Sequence, residues 1–421
     1  MSSSREEYQQ IGFKAPEKKN SMRWFYVFQM FLSFAQNLRF QFLPIYHRKL
    51  GATETQMGLL TSVQNVFSSL FSPYWGNQTD NYGRRIFLFL GGLTAFASAI
   101  AISMASGPEQ VIFAVAINSI GLSMIIPAWA GALADYSEGR PRGGFVGRIG
   151  GIGYAYVTLA LLTFTVLIPR LPDNEITQYR IIMWISAANF VLVVILSLYF
   201  IDLKKGKKNG KKLTVIDPLR DPIFRRFLIV ILFWWVWMSL AWSYFPIVVS
   251  DVAQATVIQV AILGIVGTIS QAYSSFYLSD YIDQMGVRKS LIIGFLPFSL
   301  VPLFYAFTTS WELLIIPQII GGIGIGFGFA AMQTYIIEIA GSDRAGTYQG
   351  TYQILWGLVT FGGSFFGGWF LGKLKDHLND LDQAAKLALI GIFVLRVLSN
   401  IVMVLFLPEV NKPGHIQSNH N

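Results

Sequence analysis

Apolar stretches of about 20 residues, each long enough to cross ~30 Å of hydrocarbon as a helix, recur along the whole 421-residue chain. Six run from Trp24 to Tyr46, Met57 to Trp75, Ile86 to Ser106, Gln110 to Ala132, Gly144 to Ile168 and Arg180 to Ile201. Six more run from Phe227 to Val249, Val257 to Leu278, Ser290 to Phe307, Leu313 to Ile339, Gly350 to Leu371 and Ala384 to Leu407. Charged residues make up 13% of the chain and hydrophobic ones 53%, whereas a soluble domain carries roughly 25% charged residues. A chain this apolar has too little polar surface to face water, so its solvent is lipid. The expected fold is an all-α integral membrane protein of about twelve transmembrane helices.

Lysine and arginine set the orientation. With the N-terminus inside, about 23 basic residues fall on the inner side and about 7 on the outer, the bias that cytoplasmic loops show. Both termini are therefore expected in the cytoplasm, with a cell membrane as the default location. The densest basic block, from Lys204 to Arg226, divides the chain. The expected order is a cytoplasmic tail (1–23), a six-helix bundle (24–201), a basic linker (202–226), a second six-helix bundle (227–408) and a cytoplasmic tail (409–421). The linker reads as a solvated tether, with a lipid-headgroup or partner site as the sharper alternative. The first span follows a polar tail and is too long for a signal-peptide core, so it is expected to stay uncleaved.

Several classes fall away. There is no cysteine, which removes disulfides and thiolate chemistry. His47, His377, His415 and His420 fall in loops or the tail in this reading, so no metal site is expected. The net charge of +9 comes from loops between apolar runs and does not point to nucleic acid. No cofactor is expected and no ATP-binding G-x-x-x-x-G-K-[ST] loop is present. The glycines at Gly150, Gly151 and Gly153 follow no strand and are not a nucleotide fingerprint.

The two sets of six repeat each other at one offset. Ala52, Thr53 and Gln56 match Ala255, Thr256 and Gln259, and Leu60 matches Leu263. Asp80, Gly83 and Arg85 match Asp283, Gly286 and Arg288, Asp135 falls on Glu338, and Gly147 falls on Gly350. Parallel six-helix repeats are a transporter architecture, with the solute bound between the halves near the midplane.

The segment from Gly76 to Arg85, GNQTDNYGRR, resembles the signature loop of the major facilitator superfamily, whose pattern is roughly G-x-x-x-D-x-x-G-R-R/K. The second copy, SDYIDQMGVRK from Ser279 to Lys289, departs from it at Ser279 and at Val287. The resemblance covers the whole chain through helix number, central basic linker, duplicated loop and topology. It implies two pseudo-symmetric six-helix bundles that move a small solute by alternating access, as a monomer. It also implies that the loop latches the halves on the cytoplasmic side when the cavity faces out. The residues for this latch are Gly76, Asp80, Gly83, Arg84, Arg85, Asp135 and Arg142 in the first half. Asp283, Gly286, Arg288, Glu338 and Arg344 are their counterparts in the second. Asp80 suits a helix N-terminus, Gly83 a tight turn, and the arginines pair with acids such as Asp135 and Glu338. The bland alternative is that these charges only mark loop ends.

In that family the first and fourth helices of each half line most of the cavity. The first helix here carries Gln29, Ser33, Gln36 and Asn37 on one face, with Arg39 at its edge. Arg39 reads either as a snorkel to the outer interface or as an anchor for an anionic solute. Trp235, Ser239 and Trp242 form a stripe on the seventh helix, suited to packing or to stacking on a solute. Gln64, Asn118, Gln271, Gln333 and Gln353 complete the candidates, each equally suited to an interhelical hydrogen bond. Arg396, mid-way along the last helix, has no evident partner in the sequence. The glycines from Gly321 to Gly328, with Gly363 and Gly367, suit close helix contact.

The deep spans hold almost no acids, so a coupling ion is left open: proton symport lacks the titratable group it needs, and anion exchange or uniport fits equally well. The expected function is secondary transport of a small organic solute, leaning to an anionic or polar metabolite. An exporter of amphipathic compounds is the runner-up. A membrane sensor that has lost transport is the reading from another class. An enzyme would need clustered acids, bases or metal ligands at one depth, and none is visible.

Overall fold

The computed structural model describes residues 18–136, 142–200, 216–340 and 344–410. Every regular element among them is helical. The first half holds α1 (Lys18–Lys49), α2 (Glu54–Tyr82), α3 (Arg84–Met104), α4 (Pro108–Tyr136), α5 (Arg142–Leu167) and α6 (Glu175–Leu198). The second holds α7 (Pro222–Val252), α8 (Val257–Leu278), α9 (Val287–Ala306), α10 (Trp311–Ala340), α11 (Ala345–Leu378) and α12 (Leu381–Phe406). Helices α3 to α12 are long and apolar enough to cross a membrane. Helices α1 and α2 are long but more polar, because Gln29, Ser33, Gln36, Asn37 and Arg39 lie on one and Ser62, Gln64, Asn65 and Ser69 on the other. Helix α2 packs against α11 of the opposite half and α1 chiefly against α5 and α6 of its own, so these lipid-averse side chains face protein.

Alternate crossings bring Lys18, Val410, the end of α6 and the start of α7 to one end, called the linker end below. The α1–α2 and α7–α8 turns lie at the far end. Cross-contacts agree: Trp24 Nε1 donates to Leu196 O at the linker end, and Arg180 donates to Ala105 O at the far end.

The repeat is visible in the backbone. Thr53 caps α2 through a reciprocal pair with Gln56, and Thr256 caps α8 through the same pair with Gln259. Each pair satisfies two N–H groups that a helix start leaves free. Gly83 (φ 91°) and Gly286 (φ 82°) turn the chain at equivalent places in the left-handed region, where any other side chain would be strained.

Two seams join the halves, α2 against α11 and α5 against α8. In the first, a Cβ on Gly58 would meet Ser364 O at 2.4 Å, and one on Gly368 would meet Glu54 O at 2.4 Å. Ser62 Oγ donates to Phe361 O at 2.8 Å. In the second, the hydroxyls of Thr158 and Thr268 lie 2.8 Å apart. Gln41 Nε2 crosses from α1 to Val260 O of α8 at 3.1 Å. One apolar core runs through the far end of the first half and into the whole second half, from Phe42 and Val157 to Trp235 and Leu389. A separate core, built on Phe25, Phe28, Leu88 and Phe190, belongs to the first half alone at the linker end. The halves thus share one core at the far end, and they also touch nearer the linker end, where a Cβ on Gly151 would strike the Phe276 ring and one on Gly357 would strike Ser69.

Most glycines of α10 meet a neighbouring helix closely, while Gly321 faces open space. A Cβ on Gly322 would lie 2.5 Å from Ser270 of α8, and one on Gly324 2.3 Å from Phe298 of α9. Gly363 and Gly367 likewise press α11 onto Ser239 and Leu240 of α7.

Helix α7 is interrupted. It tightens to a 3-10 turn at Ala241–Ser243, then loosens at Val248–Val252. Pro246 has no N–H to donate back to Trp242 and its ring crowds the preceding turn, which accounts for the break. Helix α9 tightens similarly at Leu296–Leu300, which contains Pro297. Arg396 of α12 fills the space between these breaks. It is fully buried, and donates to the carbonyls of Trp237 (3.2 Å), Met238 (2.8 Å) and Phe298 (3.0 Å). One turn on, Asn400 accepts from Trp234 Nε1 and donates to Leu296 O. Arg396 therefore ties the two helices together at their breaks, supplying donors to two carbonyls of α7 and a second donor to Phe298 O, which also accepts from Val301 N–H.

Candidate functional site

The far end is closed by four charges. Arg48, at the end of α1, pairs with Asp251 at the end of α7 (2.6 Å) and with Glu54 at the start of α2 (3.0 Å). Lys375, in the last turn of α11, pairs with the same Glu54 oxygen at 3.0 Å. Two of the three pairs cross between halves. Arg48 and Asp251 stand 203 positions apart, which is the repeat offset. They are equivalent residues meeting at the pseudo-two-fold axis with opposite charge. Glu54 lies before Met57, where the apolar span begins, and its side chain is 8% exposed. Burial opposes its ionisation, but its own backbone N–H, Lys375 and Arg48 outweigh that and hold its carboxyl below the usual carboxylate range. His47 is placed next to this network inside α1, fully buried, and not in a loop as the sequence reading expected.

The candidate solute contacts separate into groups. Gln29 Nε2 donates to Ser33 Oγ at 2.8 Å, and both face Gly153 of α5, where a Cβ would strike Ser33 Oγ at 2.4 Å. Asn37 Nδ2 donates back to Ser33 O. Gln36 is half-buried on the same helix, and Gln64, Gln271 and Gln353 are half-buried on α2, α8 and α11. Arg39 is 7% exposed, so it does not snorkel along the lipid face. It makes no hydrogen bond or ion pair among the described residues, and its Nε is buried without a partner. Trp235 is buried in an aromatic cluster, 5.9 Å from Trp242, 5.7 Å from Trp356 and 5.7 Å from Phe329 between ring centroids. Trp242 is only half-buried, and Trp356 Nε1 has no acceptor.

Three further candidates have other surroundings. Asn118 is 1% exposed and donates to Ser98 Oγ at 2.9 Å, which spends it on α3–α4 packing. Ser239 is fully buried, bonds to Trp235 O, and lies under Gly363. Gln333 is exposed on α10. The sequence reading missed Arg48, Glu54, Lys375, Trp356 and the Thr158–Thr268 contact. The signal for Arg48 was available, since the repeat offset sets it on Asp251.

The model of the Major Facilitator Superfamily matches residues 25–280 and 238–420, which together span nearly the whole chain. The chain belongs to the Major Facilitator Superfamily. As a member of that superfamily, with both six-helix halves present, it is a multi-pass membrane protein and a secondary transporter of a small solute. Its relatives include the quinolone resistance protein NorA of Staphylococcus aureus, 22% identical over 388 residues, which cover 89% of this chain and 95% of that protein. Similar solved folds include the nucleoside transporter NupG (TM-score 0.71, 13% identity, 91% of this chain and 99% of that one). The human organic anion transporter MFSD10 is similar at TM-score 0.65 and 15% identity, over 92% of this chain and all of that one.

In the superfamily's signature loop, Arg84 donates to Gly131 O of α4, and a Cβ on Gly131 would strike the guanidinium. A Cβ on Gly76 would meet Pro127 of α4 at an ordinary 3.6 Å, so no close approach requires glycine there. Arg288 corrects another expectation. Its partners are Leu407 O (2.8 Å), Val404 O (2.8 Å) and Glu409 (3.2 Å), so it caps the end of α12. That is where a cation meets free carbonyls and the negative end of the helix dipole. Arg85 is exposed at the start of α3, Glu338 is half-buried near the end of α10, and Arg344 is exposed before α11. The side chains of Asp80, Asp135, Arg142 and Asp283 lie outside the described residues.

Proposed function

We propose that this transporter carries a small anionic organic solute, with Arg39 as its anchor. The observation that carries the reading is the contrast between two arginines inside the bundle. Arg396 is saturated by three carbonyls. Arg39 is also buried, at 7% exposed, and has no partner among the described residues. A charge at the centre of a membrane helix costs roughly 2.5–3.5 kcal/mol on insertion scales, and an unpaired one is retained for a ligand that neutralises it. Arg39 lies ten residues before Lys49, about 15 Å in at ~1.5 Å per residue, at a depth suited to a solute midway through the bilayer. Gln36, Asn37, Gln64, Gln271 and Gln353 supply neutral polar contacts around it. In the same reading both termini are cytoplasmic, the loop charges around Arg84 and Arg288 organise the cytoplasmic side, the monomer is the working unit, and the far end is extracellular. The four-charge tie then makes this the outward-closed state.

A second reading rests on the aromatic cluster of Trp235, Trp242 and Trp356. It favours amphipathic compounds, in keeping with the name of NorA. Thermal unfolding of the purified protein with candidate ligands separates the two. A ligand at ~100 times its dissociation constant adds about 2.7 kcal/mol if it binds only the folded state. An organic anion is expected to stabilise the wild type and not Arg39→Gln. Stabilisation by hydrophobic cations alone, unchanged in Arg39→Gln, overturns the anchor and moves the site to the tryptophans.

A further inference from the structure

Outside the path between the halves, the surface holds a groove of about 580 Å³ between the linker-end portions of α7 and α12. Its apolar walls are Ile229, Val230 and Phe233 of α7 with Val402 and Phe406 of α12, and Arg225 and Arg226 stand at its linker end. Ile229 is 65% exposed, Phe406 50% and Phe233 39%. These side chains face lipid, so an apolar wall by itself is ordinary here. The concavity and the two cations are not.

Among the described residues neither Arg225 nor Arg226 has an ion pair or a side-chain hydrogen bond. The acid nearest in sequence, Asp221, is already committed. Its carboxylate accepts from the N–H groups of Ile223 (2.9 Å) and Phe224 (3.2 Å) and from the Tyr348 hydroxyl (3.0 Å). Glu409, on the chain leaving α12, is paired with Arg288 at 3.2 Å. The rim is left with an uncompensated charge of two. From Arg225 to Phe233 the groove descends eight residues, about 12 Å at ~1.5 Å per residue. A membrane lipid has this layout: an anionic headgroup at the interface and an acyl chain running inward.

We propose that this groove binds one anionic phospholipid. Its phosphate pairs with Arg225 and Arg226, and one acyl chain lies along Ile229, Phe233, Val402 and Phe406. Guanidinium groups suit phosphate because they present paired donors, and juxtamembrane basic residues gain from anionic lipid surfaces. The groove is bounded by α7, the interrupted helix that ends at Asp251, so an occupant would brace one partner of the far-end tie from the opposite end.

The test is native mass spectrometry of the full chain, delipidated in detergent and titrated with phosphatidylglycerol or phosphatidylcholine. The wild type is expected to hold one phosphatidylglycerol at least tenfold more tightly than phosphatidylcholine. Arg225→Gln with Arg226→Gln should abolish that preference, and both positions are exposed enough to leave the fold intact. Val402→Trp, which fills the groove while keeping both arginines, should weaken both lipids. Equal binding of the two lipids by wild type, or an unchanged preference in the double variant, overturns the proposal. So does competition by millimolar inorganic phosphate with undiminished binding in Val402→Trp, because the arginines would then be holding a free anion without the groove.

Discussion

Transport by Asp251→Arg is expected to fall more than tenfold while the protein still inserts and unfolds normally. The substitution sets a second guanidinium against Arg48 at the point where the two halves meet on their axis. Like charges forced together at an interface cost several kcal/mol, and each 1.4 kcal/mol shifts a two-state equilibrium about tenfold. The closed far end is one half of an alternating cycle, so blocking it stops turnover without touching the solute site. Asp251→Asn should cost only a few-fold, because Glu54 still joins Arg48 to Lys375 across the halves. Flux into liposomes, with reconstituted protein measured alongside, checks both. The pH response follows from Glu54. Its carboxyl titrates below the ordinary range, so its contribution is complete above the pKa it has when unpaired. That contribution is lost only as pH falls through the lowered value. The far-end tie should therefore hold at mildly acid pH and loosen at more acid values. Loss of the tie beginning near neutrality contradicts the assignment to Glu54.

Arg396→Met is expected to cost roughly 3–5 kcal/mol of stability, the range seen when one partner of a buried charged network is removed. The cost comes from the groups left behind. The carbonyls of Trp237 and Met238 lose their donor where lipid and side chains exclude water, at about 1–3 kcal/mol for each unsatisfied group, while Phe298 O loses Arg396 but keeps the Val301 N–H. Arg396→Lys should recover only part of this, since one ammonium on a flexible stem does not reproduce a planar fork spanning two helices. Arg39→Met is the informative contrast. It removes a buried charge that has no partner to orphan, so stability should hold or rise while anion binding is lost. Unfolding midpoints in detergent for the three variants decide the matter. Equal destabilisation by Arg39→Met and Arg396→Met would show that Arg39 has a structural partner after all.

These two arginines also mark where the sequence is legible and where it is not. Helix number, the repeat and the signature loop are visible as one-dimensional patterns, because lipid demands about 20 apolar residues per crossing and duplication preserves spacing. The capping pairs Thr53–Gln56 and Thr256–Gln259 are local for the same reason. The partners of Arg396 are backbone carbonyls beside breaks in two other helices, which carry no side-chain signature, although Pro246 and Pro297 hint at the breaks. Asn118 and Gln333 show the limit of the polar-residue rule. One is spent between neighbouring helices and the other faces outward, and only the packing tells them from Gln36 or Gln64. Arg48 and Asp251 were within reach. They are equivalent by the repeat, opposite in charge and placed at span ends, and residues near a pseudo-two-fold axis meet their own equivalents.

The most direct measurement of the central claim, that the halves close on one another and must part along their seams for transport, is a reversible cross-link between them. Thr158 of α5 and Thr268 of α8 have hydroxyls 2.8 Å apart across the seam, and a disulfide needs its sulfurs at ~2.05 Å with little backbone movement. The chain has no native cysteine, so Thr158→Cys with Thr268→Cys introduces the only thiols. Oxidation should link the pair in high yield and reduce flux to background, and reduction should restore it. Each single variant should be indifferent to oxidant. Full transport with the cross-link in place would mean that this seam does not open, and would contradict a cycle in which the two halves part along it.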